Sequence, residues 1–239
     1  MRAANNKPVS KTRLLALLKD LDWRAVKAAL EESPELRSYR GDKGENLLHL
    51  CCGIDIQKRG LSSADSVKMA GVLLDASFDI NQEAFTEGDW KATPLWYAIG
   101  RGKNLALADY LLKRGADPEY CLWAAAFNDS PAAVKLLVRA GAAVDPVGSD
   151  TPFMFAIQLS HFESAKALLA AGADVNFQNQ AGKTALHYLL KKRSPPQYVR
   201  MLLEHGARLD LRDREGATAG GLLSRMRSPE YQKLANKYC

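Results

Sequence analysis

Cysteine is scarce in this chain: four in 239 residues, at Cys51, Cys52, Cys121 and Cys239. No Cys-x-x-Cys pair and no Cys/His spacing suited to zinc occurs among them. That excludes a disulfide framework of the secreted kind and predicts a reducing compartment. Long apolar runs are missing too. Stretches such as Leu14–Leu18 and Leu122–Phe127 fall far short of the roughly 20 residues that cross a bilayer, so no membrane span is expected. The first eight residues, Met1 to Pro8, hold no apolar segment followed by a small-residue cleavage site. No secretory signal is read there, and the cytoplasm is the expected location. A Gly-x-Ser-x-Gly elbow is absent, no Cys/His pair is arranged as nucleophile and base, and the segment Gly216–Gly221 has neither the lysine nor the preceding strand of a phosphate loop. The acidic residues Asp42, Glu45 and Asp89 share no fixed spacing, so no calcium loop is indicated. The chain is therefore expected to be no enzyme and to hold no cofactor and no metal.

What is present is ordinary for a folded protein: 47% hydrophobic residues, enough for a buried core. The net charge of +6 is uneven. Residues 1–41 carry nine Lys/Arg against five Asp/Glu, residues 42–176 twelve against seventeen, and residues 177–239 twelve against five. Basic ends flank an acidic middle, which weakens any inference from overall charge to nucleic acid.

The strongest signal is self-similarity. Thr184-Ala-Leu-His187 matches Thr93-Pro-Leu-Trp96, Thr151-Pro-Phe-Met154 and, more loosely, Asn46-Leu-Leu-His49. About twenty residues after each start, a second apolar segment ends in Leu-Leu and a small-residue stop. Leu111–Asp117, Leu136–Ala142, Leu168–Asp174 and Leu202–Ala207 are these ends, and the period closes near 33. Thr at a helix start accepts from free backbone N–H groups, and proline suits the first helical position. Gly115, Gly141, Gly172 and Gly206 stand where a left-handed turn would stop the second helix.

These residues resemble the ankyrin repeat over roughly residues 12–239. The resemblance implies an all-α repeat protein, a solenoid of about seven helix-turn-helix units with short β-turn fingers and worn terminal caps. After an N-terminal tail (1–11), the single repeat domain (12–239) divides into units at about 12–41, 42–82, 83–117, 118–145, 146–178, 179–211 and 212–239. It also implies that His49 and His187 hydrogen-bond between neighbouring repeats. Trp96, Trp123 and Met154 replace that histidine elsewhere and are expected to pack. His161 and His205 read as structural or surface residues.

The departures from the pattern are the more informative part. The Thr-equivalent positions Asn46, Thr93, Tyr120, Thr151, Thr184 and Thr218 are spaced by 47, 27, 31, 33 and 34. The long step holds an insertion, Gly53–Ser63, and a long turn, Asn81–Trp90. The short step lacks a turn, since Asp117-Pro-Glu-Tyr120 runs straight into Leu122–Phe127. One long finger thus stands beside a missing one, in a place where a pocket or ridge for one partner is expected; drift in a tolerant loop is the alternative.

The resemblance further implies partner binding along a concave side made of turn tips and first-helix ends. Carried onto this sequence, those places include Asp89, Trp90, Arg101, Phe127, Asn128, Gln158, Leu159, Lys191 and Lys192. Trp90, Arg101 and Phe127 are the first expected contacts, because hot spots favour large aromatics and arginine. The alternative is that Phe127 and Leu159 turn inward and that Trp90 packs under its own loop. The expected function is non-catalytic binding of an unidentified partner protein by a chain that is monomeric when free, used as a scaffold or as an inhibitor or immunity-type protein. Binding of nucleic acid or of an acidic partner through the basic C-terminal end, around Lys191, Lys192 and Arg193, is the alternative. The acidic middle makes nucleic acid the weaker of the two.

Overall fold

In a computed structural model the chain is described over residues 9–85, 91–146 and 150–239. Helices follow one another in pairs, and the pairs fall into two compact units, Met1–Cys121 and Leu122–Cys239.

The first unit opens with α1 (Lys11–Lys19) and α2 (Trp23–Glu32), followed by a 3-10 turn, Pro34–Ser38. The next pair is α3 (Leu47–Cys52) and α5 (Ser63–Asp75), with a short helix, α4 (Ile56–Arg59), between them. A two-stranded antiparallel hairpin, β1 (Ala84–Phe85) and β2 (Lys91–Ala92), leads into the pair α6 (Pro94–Gly100) and α7 (Leu105–Lys113). First helices stack on first helices, α3 between α1 and α6, while the second helices α2, α5 and α7 pack in their own row. Leu14, Leu18, Leu47, Leu48, Leu73, Leu95 and Leu111 are almost wholly buried between the rows. Each such leucine stabilises the fold by about 2 kcal/mol.

The second unit repeats the plan. Helix α8 (Cys121–Phe127) starts on the last residue of the first unit and pairs with α9 (Pro131–Arg139). There follow α10 (Pro152–Leu159) with α11 (Phe162–Ala170), α12 (Ala185–Lys191) with α13 (Pro196–Glu204), and α14 (Ala219–Ser224) with α15 (Pro229–Tyr238). The last pair is fastened by Tyr231, whose hydroxyl donates to the Ser194 carbonyl. Among the described residues the pairs number seven, as the repeat spacing predicts.

The helix ends have local causes. Thr93 Oγ1 accepts from the Trp96 N–H, Thr151 Oγ1 from that of Met154 at 3.2 Å, and Thr218 Oγ1 from that of Gly221 at 3.1 Å. Each satisfies a donor that the helix cannot. At the far end the Leu-x-x-x-Gly-Ala signature closes a Schellman turn. The N–H groups of Ala116, Ala142, Ala173 and Ala207 reach back to the carbonyls of Leu111, Leu137, Leu168 and Leu202. The glycine between takes φ of +92, +93, +94 and +83°.

The insertion turns out to be folded onto the first pair. Asp55 caps α4, and Gly60 ends it at φ +63°. Ile54 and Ile56 are buried, and the Arg59 guanidinium donates to the Lys19 carbonyl at the end of α1 and pairs with Asp20 at 3.1 Å.

Turns are joined by a second ladder. Asn81 accepts from the Asp117 N–H at 2.9 Å and donates to the Gly115 carbonyl. Asn176 does the same with the Arg208 N–H at 2.8 Å and the Gly206 carbonyl at 3.0 Å. Fingertips stack by backbone bonds, Phe85 N–H to the Lys43 carbonyl and Arg214 N–H to that of Ala181.

Candidate functional site

Every pair presents the same local feature, the end of its first helix and the turn into its second. In the second unit these ends are Phe127 and Asn128, then Gln158 and Leu159, then Lys191 and Lys192. The turns are made by Asp129, Ser160 and Arg193 in left-handed backbone, at φ +46, +63 and +53°. Such conformations cost a non-glycine residue and are held here by neighbours. Asp129 accepts from the Ser164 N–H at 2.8 Å, and His161 Nδ1–H donates to the Ala126 carbonyl at 2.8 Å. The scaffold beneath Phe127 and Asn128 is thereby fixed.

On that scaffold Phe127 is 59% and Leu159 38% exposed, so neither turns inward. Asn128 and Gln158 are half-buried and Lys191 is exposed. Lys192 is tethered: its ammonium donates to the Gln158 carbonyl at 2.5 Å and to Ser160 Oγ at 3.2 Å. A cation at a helix C-terminus interacts favourably with the carbonyl end of the dipole. An apolar pair is thus followed, in the next repeat, by a basic one.

In the first unit the corresponding position is Arg101, whose guanidinium lies 4.6 Å from the centre of the Tyr97 ring. Tyr97 is buried, donates its hydroxyl to Glu45 Oε1 at 3.1 Å and meets the His49 ring edge-on at 5.2 Å. Burial pushes the Tyr97 hydroxyl up to about 12, against the opposing pull of Arg101. Asp89 and Trp90, also expected at this face, lie outside the described residues.

The histidines are bound as expected. Asn46 N–H donates to His49 Nδ1, leaving Nε2–H to donate to the Gln82 carbonyl at 2.8 Å, the next repeat's turn. Burial lowers the pKa of His49, outweighing that bond. His187 is held alike, Nδ1 by the Thr184 N–H and Nε2 at 3.3 Å from the Ala217 carbonyl. Met154 is buried, while Trp96 and Trp123 are half-buried. Among the described residues no group of His, Cys, Asp or Glu is arranged to hold a metal ion, and no helix is long and apolar enough to cross a membrane.

Sequence reasoning passed over Phe85, 54% exposed at the base of the long finger, and Tyr120, 50% exposed. Tyr120 carried a legible sign: it occupies the capping position where the other repeats have Thr or Asn, and a phenol cannot take that role.

A family model described as ankyrin repeats (3 copies) matches residues 122–213, and one described as ankyrin repeat matches residues 90–121. With more than half of its length so matched, the chain belongs to the ankyrin-repeat family. Inversin from Homo sapiens is 32% identical over 135 residues, which is 55% of this chain and 12% of inversin. A putative ankyrin repeat-containing protein from Treponema pallidum (strain Nichols) is 36% identical over 100 residues, 41% of this chain and 33% of that protein. The chain thus spans only about an eighth of inversin's length. Among solved structures, the ankyrin repeat domain of human ASB11 superposes with a TM-score of 0.74 at 21% identity, covering 94% of this chain and 96% of that one. That of Bcl-3 gives 0.72 at 18%, covering 98% and 100%. At such identities the likeness concerns the fold. Ankyrin repeats generally serve protein–protein interaction without catalysis of their own.

Proposed function

We propose that this chain binds a partner protein, without catalysis of its own, through the first-helix ends of its repeats. The observation that carries the reading is the exposure of Phe127 and Leu159 at the first-helix ends of successive repeats, beside a turn at Asp129 held by part-buried hydrogen bonds. Large apolar side chains held rigidly in water are what an interface centre needs, since little conformational freedom is lost when the partner arrives. Arg101, braced on Tyr97, supplies an equivalent anchor in the first unit, and Lys191 a basic rim in the second. Asn128, Gln158 and the tethered Lys192 frame these contacts. The cytoplasm, where the four thiols stay reduced, suits such a binder. Covering a partner's active surface would make it an inhibitor or immunity-type protein; joining two partners would make it a scaffold.

The test is affinity capture from the protein's own cells, with Phe127→Ala and Leu159→Ala variants beside the unaltered chain and Tyr198→Ala, on α13, as control. Retention of a specific partner is expected to weaken by about tenfold or more in each of the first two, as truncated hot spots do, and not in the control. An unchanged captured set in both would overturn the assignment. Assaying the captured partner's activity with and without the chain separates inhibition from scaffolding.

A further inference from the structure

At the junction of its two helices, each repeat of the second unit offers the same place on the scaffold. Counted from the capping positions Tyr120, Thr151, Thr184 and Thr218, that place holds Phe127, Gln158, Lys191 and Arg225. Two residues further on stand Asp129 and Ser160, then Arg193 and Arg227. Along one row the surface thus changes from aromatic and acidic to wholly basic. Helix α10 packs on α12 and α12 on α14. At about 10 Å per packed helix, the basic half begins one step beyond Leu159.

We propose that this row receives an extended acidic segment of a partner protein, with apolar side chains laid on Phe127 and Leu159 and carboxylates on Lys191, Arg193, Arg225 and Arg227. The inference rests on the protein-binding reading above and adds the chemistry of the partner to it. These four cations are exposed, and among the described residues their side chains take part in no hydrogen bond or ion pair. Elsewhere in the unit Lys166, Lys183 and Arg208 are each paired with an acid. Unengaged positive charge gathered on one face selects an acidic surface and speeds its approach. No acid of residues 177–239 competes for it. Asp210 and Glu215 belong to the pairs just named, and Asp213 is buried, accepting from the N–H groups of Glu215 and Ala217. Glu204 ends α13, and Glu230, in the first turn of α15, is the nearest in sequence and pairs with none of the four.

The apolar and basic halves form one surface. Lys192 Nζ donates to the Gln158 carbonyl at 2.5 Å and to Ser160 Oγ at 3.2 Å, the two residues that flank Leu159, so the end of α12 is tied to the end of α10. Lys192 thereby answers the carbonyl end of α10 and leaves Lys191 and the arginines to a partner. A nucleic acid suits the row less well. A single strand is held where aromatic rings stand among cations, whereas Phe127 lies beside Asp129 and two repeats from Lys191. A polypeptide can change from apolar to acidic within a few residues. The two steps from Leu159 to Arg225, about 20 Å, take about six residues of extended chain.

The experiment titrates the 239-residue chain against a fluorescein-labelled synthetic peptide and reads fluorescence anisotropy. The peptide carries leucines at one end and glutamates at the other, about six residues apart, and is made in both orientations. One orientation is expected to bind saturably with a Kd below about 1 mM, weakening as salt is added. Its counterpart with glutamine for glutamate should bind the same unaltered chain at least about tenfold more weakly. Lys191→Gln with Arg225→Gln, which alters exposed side chains only, should weaken the glutamate peptide about tenfold, and Leu159→Ala about threefold. Lys135→Gln with Arg139→Gln on α9 removes the same net charge and should leave binding unaltered. No saturation by either orientation up to about 10 mM peptide, well above the expected affinity, would sink the proposal, as would equal binding of the glutamine peptide or an equal loss in the α9 pair. A labelled oligothymidylate that bound more tightly than the peptide, and lost that binding with Lys191→Gln and Arg225→Gln, would overturn it in favour of nucleic acid. Partner capture that depends on Phe127 but is untouched by the Lys191 and Arg225 pair would overturn this inference and leave the proposed function standing.

Discussion

Asp145 stands where Asn81 and Asn176 stand in their own turns, and it does half their work. Its Oδ2 accepts from the Asp174 N–H at 2.6 Å, but a carboxylate has no N–H to give the Gly172 carbonyl as the two asparagines give Gly115 and Gly206. Burial, and the nearby Asp174, raise its pKa above 3.8 in the fold. A raised carboxylate favours folding below its unfolded value and loses that favour as pH rises through the folded one, so at neutral pH ionised Asp145 is a net cost. Asp145→Asn should therefore stabilise the protein at pH 7 by about 1 kcal/mol, a rise of roughly 2–4 °C in Tm. The gain should shrink as acid protonates Asp145; thermal unfolding at pH 7 and pH 3 checks both parts. His49 carries the opposite dependence. Its pKa is lowered from 6.5 by burial, so the unfolded chain binds the proton first and stability should fall as pH drops below about 6.5. In His49→Gln the pH 8 stability should be lower but its acid decline between pH 6.5 and 5 shallower. An identical decline in both would assign the acid sensitivity elsewhere.

At the scale of elements, the tightest constraint is the turn between α6 and α7. A Cβ on Gly102 would lie 2.2 Å from the Cys52 carbonyl oxygen and within 3.3 Å of that of Ile54. Since the obstacle is backbone, Gly102→Ala should cost more than about 2 kcal/mol, read as a lowered urea midpoint. A glycine held only by its backbone angle, such as Gly141 at φ +93° with open space around it, should cost about half as much when replaced by alanine. Gly141 stands in the Leu-x-x-x-Gly-Ala signature and Gly102 does not, and that difference marks how much of the fold was readable in sequence. Helix starts at Thr93 and Thr151 and the stops at Gly115, Gly141, Gly172 and Gly206 were legible because each depends on residues within a turn of one another. Helix α4 was not. Four residues cannot hold a helix by propensity, and this one exists because Ile54 and Ile56 find a core and Arg59 finds the end of α1, some 40 residues away. The bond from His161 to the Ala126 carbonyl was hidden for the same reason, being set by how one repeat lies on the next. At the candidate site, Phe127 and Leu159 could be placed on helix ends from the register. Their exposure needed the packing.

The whole molecule shows its organisation in its charges and its thiols. Of the basic C-terminal residues, Arg208 is paired with Asp210 at 2.6 Å, Lys183 with Glu215 at 3.4 Å, and Arg212 is turned onto the Gly216 carbonyl. Charges so engaged within the repeats offer a nucleic acid less than their number suggests. The thiols report on opening. Cys51, Cys52 and Cys121 are buried, and burial pushes Cys51 and Cys121 up to about 12 and raises Cys52 as well, whereas Cys239 is exposed. Since the thiolate is the reactive form, a disulfide reagent at pH 8 should consume one equivalent quickly in the native protein. The other three should react slowly, at a rate set by the fraction of molecules that open, and that rate should climb steeply with added urea because each opening exposes core. Cys239→Ser should abolish the fast equivalent and leave the slow phase unaltered. Two or more fast equivalents would mean that the repeat stack around Cys51 or Cys121 opens readily in water, contrary to the burial on which its stability rests.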